Sequence, residues 1–208
     1  MSVQHHPSQE LLLGHAAGTR AGGPALLMHV HLRACAACSA EVARLECIGG
    51  ALLDEQPPAS MAPDALARTL ARLDSPPEPP PARQPQGIDL AGALDGLRLG
   101  PRRWLGPGMW MRPVLGEAPE RTYLLRSGPG RRLPRHTHVG TELVCVLKGA
   151  FSDETGRYGP GDFAESDERL AHAPVTDDDG ECLCLIAAEG PMRFEGALFR
   201  ALQPLFGV

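Results

Sequence analysis

The segment SPPEPPPARQPQG, Ser75 to Gly87, divides the chain into two stretches of different texture. Six prolines in thirteen residues exclude a helix interior or a central strand, because each removes a backbone donor and fixes φ. The segment reads as an extended spacer that separates two bodies semi-rigidly. Upstream, Ala and Leu recur at helical spacing. Ser8, after Pro7, is placed as an N-cap ahead of Leu11, Leu12 and Leu13. The run from Gly23 to Leu53 continues as helix, with a break expected near Cys38. MAPDALARTLARLD forms a separate short helix, with Leu66, Leu70 and Leu73 at i, i+4 and i+7 and Asp64 near its start. From about Asp89 onward, short apolar runs punctuated by Gly and Pro predict a β-sandwich or barrel. The expected fold is α+β in two domains: a small helical domain over residues 1–74, a linker over 75–88, and an all-β barrel over 89–208.

Four helices with little aromatic content make a thin core, and such a domain gains from a metal staple or a partner. The net charge of −5 argues against a nucleic-acid-binding face, which needs clustered Lys and Arg, and suits a basic protein partner better. No run of about 18 apolar residues is long enough to span a membrane. The start MSVQHHPSQE lacks the basic-then-apolar order of a signal peptide, so a cytoplasmic protein is expected. The six cysteines then read as reduced thiols, not as a disulfide framework.

HLRACAAC places His31, Cys35 and Cys38 at offsets of four and seven, which on one continuous helix is a narrow stripe. Two thiolates and an imidazole need a fourth ligand to complete a tetrahedral Cys2His2 zinc site. His6, just before the first helix, is the first choice, with His5 and His15 as alternatives. His29 and Cys47 lack a matching stripe and read as a surface histidine and a core thiol. His6, His31, Cys35 and Cys38 on a short helical domain resemble the zinc-binding anti-sigma factors of bacteria. HHPSQELLLGHAAGT and CIGGALLDE are similar to the ChrR subgroup. The resemblance implies that the helical domain wraps a group IV (extracytoplasmic-function, ECF) sigma factor and hides its polymerase-binding surfaces.

The second metal pattern lies in GRRLPRHTHVGTELVCVLKG. His136 and His138, two apart, project to one face of a strand, and Glu142 returns to the same pocket after a bend around Val139 and Gly140. The spacing from Gly130 through these three residues to Gly149 matches the first cupin motif. A third histidine is expected from a later strand, and His172 fits the second motif counted from Gly161. Asp167 stands where that motif commonly has proline, Arg169 where it has glycine, and Thr176 where it has asparagine. These departures bear on the local turn more than on ligation. Three histidines and a glutamate suit zinc, iron, manganese or nickel without choosing among them. GPGRR and GPGD read as turns, since neither leads into a helix N-terminus that would hold a phosphate. The three aspartates of VTDDDGE read as a solvated hairpin turn, outside any EF-hand spacing. Cys182 and Cys184 share one face of a strand as small buried residues, with oxidation of accessible thiolates as the other reading.

The order of the two metal patterns resembles the ChrR-type fusion over essentially the whole chain. It implies a regulator that is not an enzyme: residues 1–74 sequester the sigma factor, and the cupin senses singlet oxygen or organic hydroperoxides. The rival reading is a metal-dependent cupin dioxygenase or isomerase with an accessory helical domain.

Overall fold

The computed structural model describes residues 3–73, 94, 96–116 and 121–195. The expected linker, the residues on which the barrel was expected to begin, and residues 196–208 lie outside them. The N-terminal part contains α1 (Gln9–Ala16), α2 (Gly22–Ala34), α3 (Ala36–Asp54) and α4 (Ala65–Leu73). Ser8 caps α1, its hydroxyl accepting from the Leu11 N–H at 3.3 Å.

The helical run breaks at Cys35, three residues earlier than expected. Cys35 is extended (φ −118°, ψ 101°), yet its N–H still donates to the His31 carbonyl at 2.9 Å, closing α2. Its sulfur accepts from the Cys38 N–H at 3.5 Å, opening α3 as an N-cap. A sulfur thus does what Ser, Thr, Asp or Asn usually does at a helix start. Consequently His31, Cys35 and Cys38 do not lie on one helical stripe. They occupy the end of α2, the corner, and the first turn of α3.

The β part contains β1 (Arg103–Gly106), β2 (Met109–Pro113), β3 (Arg121–Ser127), β4 (His136–His138), β5 (Glu142–Lys148), β6 (Phe151–Asp153), β7 (Gly156–Tyr158), β8 (Phe163–Ser166), β9 (Val175–Thr176), β10 (Cys182–Ala188) and β11 (Met192–Phe194). Six strands form one antiparallel sheet in the order β1-β2-β3-β10-β5-β8. The remaining strands form the pair β11-β4 and the triplet β7-β6-β9. Met111, Tyr123, Leu125, Val144, Val146, Phe151 and Ile186 pack together as the interior of the barrel.

The helical part and the barrel touch, where the spacer's composition predicts separation. Leu27 and Val30 of α2 are fully buried against Leu143, Cys145, Leu147 and Leu185 on the outer face of β5 and β10. Burying each such side chain contributes roughly 1.5–3 kcal/mol, so two exposed apolar faces gain by closing on each other. This explains the composition of ELVCVLK, in which six successive residues are buried. Glu142, Val144 and Val146 face the barrel interior while Leu143, Cys145 and Leu147 face the helices. A strand covered on both sides reads as a continuous apolar run instead of alternating.

Candidate metal centres

In the N-terminal cluster, one ligand atom each from His6, His31, Cys35 and Cys38 lies within 4.8 Å of the others. His6 Nδ1 stands 3.4 Å from Cys35 Sγ and 3.3 Å from Cys38 Sγ. His31 is fully buried; its Nδ1 donates to the Gly161 carbonyl at 2.8 Å, leaving buried Nε2 without a partner. That bond fixes the tautomer and aims the Nε2 lone pair into the cluster. His5 points elsewhere, with Nδ1 3.5 Å from Asp162 Oδ2 and its ring on Tyr158. His15 also lies outside the cluster.

In the barrel, His136, His138, Glu142 and His172 converge to the same tolerance, and all four are buried. His136 Nδ1 donates to the Pro134 carbonyl at 2.8 Å, and His172 Nδ1 donates to Asp153 Oδ2 at 2.8 Å. Both rings are thereby held with Nε2 free. His138 Nε2 lies 3.0 Å from His172 Nε2 and 3.3 Å from Glu142 Oε2. The fold delivers these atoms as alternation requires. His136 and His138 share a face of β4, and Gly140, at φ +73°, turns the chain so that Glu142 opens β5 on the same interior. A side chain at Gly140 would meet the Glu189 carboxylate at 2.3 Å, and that carboxylate accepts the Thr141 N–H at 2.8 Å. His172 arrives through an isolated bridge to His136.

Residues 101–192 match the model of the ChrR cupin-like domain family. Over its whole length the chain is 39% identical to the Anti-sigma-E factor ChrR of Cereibacter sphaeroides, covering all of that protein. The chain belongs to the ChrR family. Its structure also resembles a chain of the crystal structure of Rhodobacter sphaeroides SigE in complex with the anti-sigma ChrR. That match has a TM-score of 0.75 and 34% identity, over 90% of this chain and 99% of the other.

Both donor sets of this ChrR-family chain fit a metal ion. Burial pulls His136 down to about 4 and His138 down to about 3, so the imidazoles stay neutral and able to ligate. His138 Nε2 and His172 Nε2, buried 3.0 Å apart, need a cation or a proton between them, and a proton placed there is withheld from His138 Nδ1, which is buried without a partner. At the N-terminal cluster, burial and the neighbouring Cys35 thiol push Cys38 up to about 12. A metal there must displace protons, so its affinity rises with pH.

Nothing in the sequence marks the outer partners: the Gly161 and Pro134 carbonyls, Asp153, and the buried Tyr123 beside Glu142. Backbone carbonyls carry no sequence signal. Asp153, 19 residues before His172, is identifiable only once β6 is placed. Asp167 repairs the departure in the second motif, because its Oδ1 accepts the Arg169 and Leu170 N–H groups and closes the turn. Cys182 and Cys184 are buried in the barrel with sulfurs 3.5 Å apart, and the Cys182 contact and burial raise the Cys184 thiol well above its usual range. Both pack as small apolar residues, and Cys184 rests as the protonated thiol.

Glu142 gives a pH prediction for the metal-free chain. Burial raises its carboxyl to about 7, above the ordinary 4.5. Below 4.5 the group is neutral folded or unfolded; as pH climbs through 7 the folded chain must ionise it in the dry pocket. At ~1.36 kcal/mol per unit, the stability lost across that window is about 3 kcal/mol. Glu142→Gln removes this loss. In thermal unfolding with chelator present, the variant's advantage over the natural chain should widen from pH 5 to pH 8; an advantage independent of pH contradicts the assignment.

Proposed function

We propose that this chain is a cytoplasmic anti-sigma factor that sequesters a group IV (ECF) sigma factor and releases it under oxidative stress. The observation that carries the reading is the full-length likeness to an anti-sigma factor, through both the helical part and the barrel. In this reading His6, His31, Cys35 and Cys38 hold zinc. His136, His138, Glu142 and His172 hold zinc or another divalent metal in the sensing domain. Zinc would fix the corner between α2 and α3 and tie the N-terminal segment to it; the barrel metal would hold the ligands of β4, of β5 and of the bridge at His172 in one arrangement.

The surfaces support a protein partner. Leu66, Leu70 and Leu73 on α4 are 68%, 52% and 75% exposed, and α4 buries none of its residues. Ile48, Leu52 and Leu53 toward the end of α3 are exposed as well. A helix with its apolar stripe open to water gains from a partner that covers it. Among the described residues no helix is long and apolar enough to cross a membrane, so a bilayer-spanning role is not what these faces serve.

Release is a shift of population: the signal must favour the sigma-free state by a coupling free energy of ~1–3 kcal/mol. The domain assignment places occlusion in residues 1–74 and sensing in 89–208, joined by the spacer 75–88. Leu66→Glu and Leu70→Glu are the direct test. Neither side chain is buried, so melting temperature and metal content should stay as in the natural chain, while affinity for the sigma factor should drop about 100-fold, ~2.7 kcal/mol. Unchanged affinity in both variants removes α4 from the interface.

A further inference from the structure

The N-terminal metal cluster is not built by the helical part alone. Between β7 and β8 runs the turn Gly159-Pro160-Gly161-Asp162, with Gly161 at φ +88° and the Asp162 N–H donating to the Gly159 carbonyl at 2.9 Å. These are the features of a type II turn. The Gly161 carbonyl it presents is the acceptor that orients His31. The next residue, Asp162, is buried, and its Oδ1 accepts the N–H groups of Gln4 at 2.6 Å and His5 at 3.0 Å. Its Oδ2 accepts the Gly159 N–H at 2.8 Å. One residue further, the Phe163 N–H donates to the His5 carbonyl at 3.1 Å, and the Phe163 ring packs edge-on against His31. Three consecutive barrel residues, Gly161 to Phe163, therefore hold both the ring of His31 and the backbone immediately before His6, with Gly159 bracing the Asp162 carboxylate.

We propose that this barrel turn is the outer support of the N-terminal metal site, with Gly161 and Asp162 as its positioning residues. The fit is close. A Cβ on Gly161 would stand 2.9 Å from Ala34 Cβ and 2.9 Å from Val3 Cγ2, so any side chain there pushes the turn away from α2 and the N-terminal segment. The turn is also continuous with the barrel cluster. β8 runs from Phe163 to Ser166, and Ser166 lies opposite Glu142. β7 pairs with β6, whose Asp153 orients His172. One loop thus adjoins the supports of both clusters, and displacement of β7 or β8 reaches His31 through a hydrogen bond. The inference rests on the cluster being a metal site and goes further, making the sensing domain part of that site.

The test uses the full chain loaded with zinc, and separately with cobalt at the N-terminal site. In Asp162→Ala and Gly161→Ala, transfer of the N-terminal zinc to a chromogenic chelator should accelerate by about tenfold or more, the usual scale for losing an outer-shell partner. The cobalt ligand-field bands should shift, while the barrel metal exchanges at the natural rate. Asp162→Asn keeps an oxygen for the Gln4 and His5 N–H groups and should recover much of the slow exchange. Natural exchange rates and cobalt bands in both Ala variants overturn the inference alone. Acceleration of both metals together also overturns it, since that marks general loosening of the barrel. A natural chain that holds no metal at the N-terminal cluster overturns the metal reading itself.

Discussion

Cys35→Ala and Cys38→Ala should each lower the bound metal from two ions per chain to one and weaken sigma binding by about 100-fold or more. Structural zinc contributes much of the folding free energy of small zinc domains, up to ~10–16 kcal/mol in isolated peptides. The loss here should be smaller and local. Leu27 and Val30 still anchor α2 to β5 and β10, so α2 stays folded on the sheet. What the metal would add is a direct tie between the His6 ring and the corner at Cys35. Cys35→Ala carries an extra penalty of about 1 kcal/mol because Cys35 also caps α3. Cys35→Ser separates the two effects: its hydroxyl restores the cap but is a poor zinc ligand. Metal analysis, thermal unfolding and sigma affinity measured together check this. A single ion per chain in the natural protein, untouched by either substitution, contradicts it.

The opposite pattern is expected in the barrel. His138→Ala and Glu142→Ala should lose the barrel metal and keep both the N-terminal metal and full sigma inhibition, while abolishing release under oxidant. Each removes one of four ligands, and the three that remain leave an open position and a much weaker site. Glu142→Ala also removes the carboxylate beside the buried Tyr123. Some stability loss is therefore expected there, and His138→Ala is the cleaner variant. A catalytic barrel predicts differently: purified protein would consume oxygen or convert a small substrate at about 1–10³ per second, with turnover lost in both variants. Reporter assays with singlet oxygen or an organic hydroperoxide, read beside oxygen uptake, distinguish the two.

The two candidate clusters were legible because metal chemistry restricts both residue type and spacing. His136 and His138 had to share a strand face, and Glu142 needed only one glycine-hinged bend to join them. The upstream quartet was legible as a set but not as a shape. A sulfur N-cap lies outside the usual capping residues, so nothing in HLRACAAC marks the corner at Cys35. The choice of His6 over His5 also needed the fold, because a barrel carboxylate 157 residues away, Asp162, takes the His5 N–H and sets which ring faces the thiols. Contact between helices and barrel was half-written in the double-sided burial of ELVCVLK. The proline-rich spacer concealed it, because composition between two bodies does not say whether they touch. The short strand β11 leaves no mark in the sequence; its three residues, MRF, carry too little pattern to stand out.

As an anti-sigma factor this chain should keep its sigma factor from RNA polymerase. The decisive measurement mixes the purified chain with the sigma factor encoded beside its gene and then adds core polymerase, following sigma–core association directly. A one-to-one complex that blocks sigma from core is expected. Sigma should return to core when the chain is treated with the oxidant, with no return from the His138→Ala variant. Sigma factor that binds core equally well with and without a stoichiometric excess of the chain would contradict it.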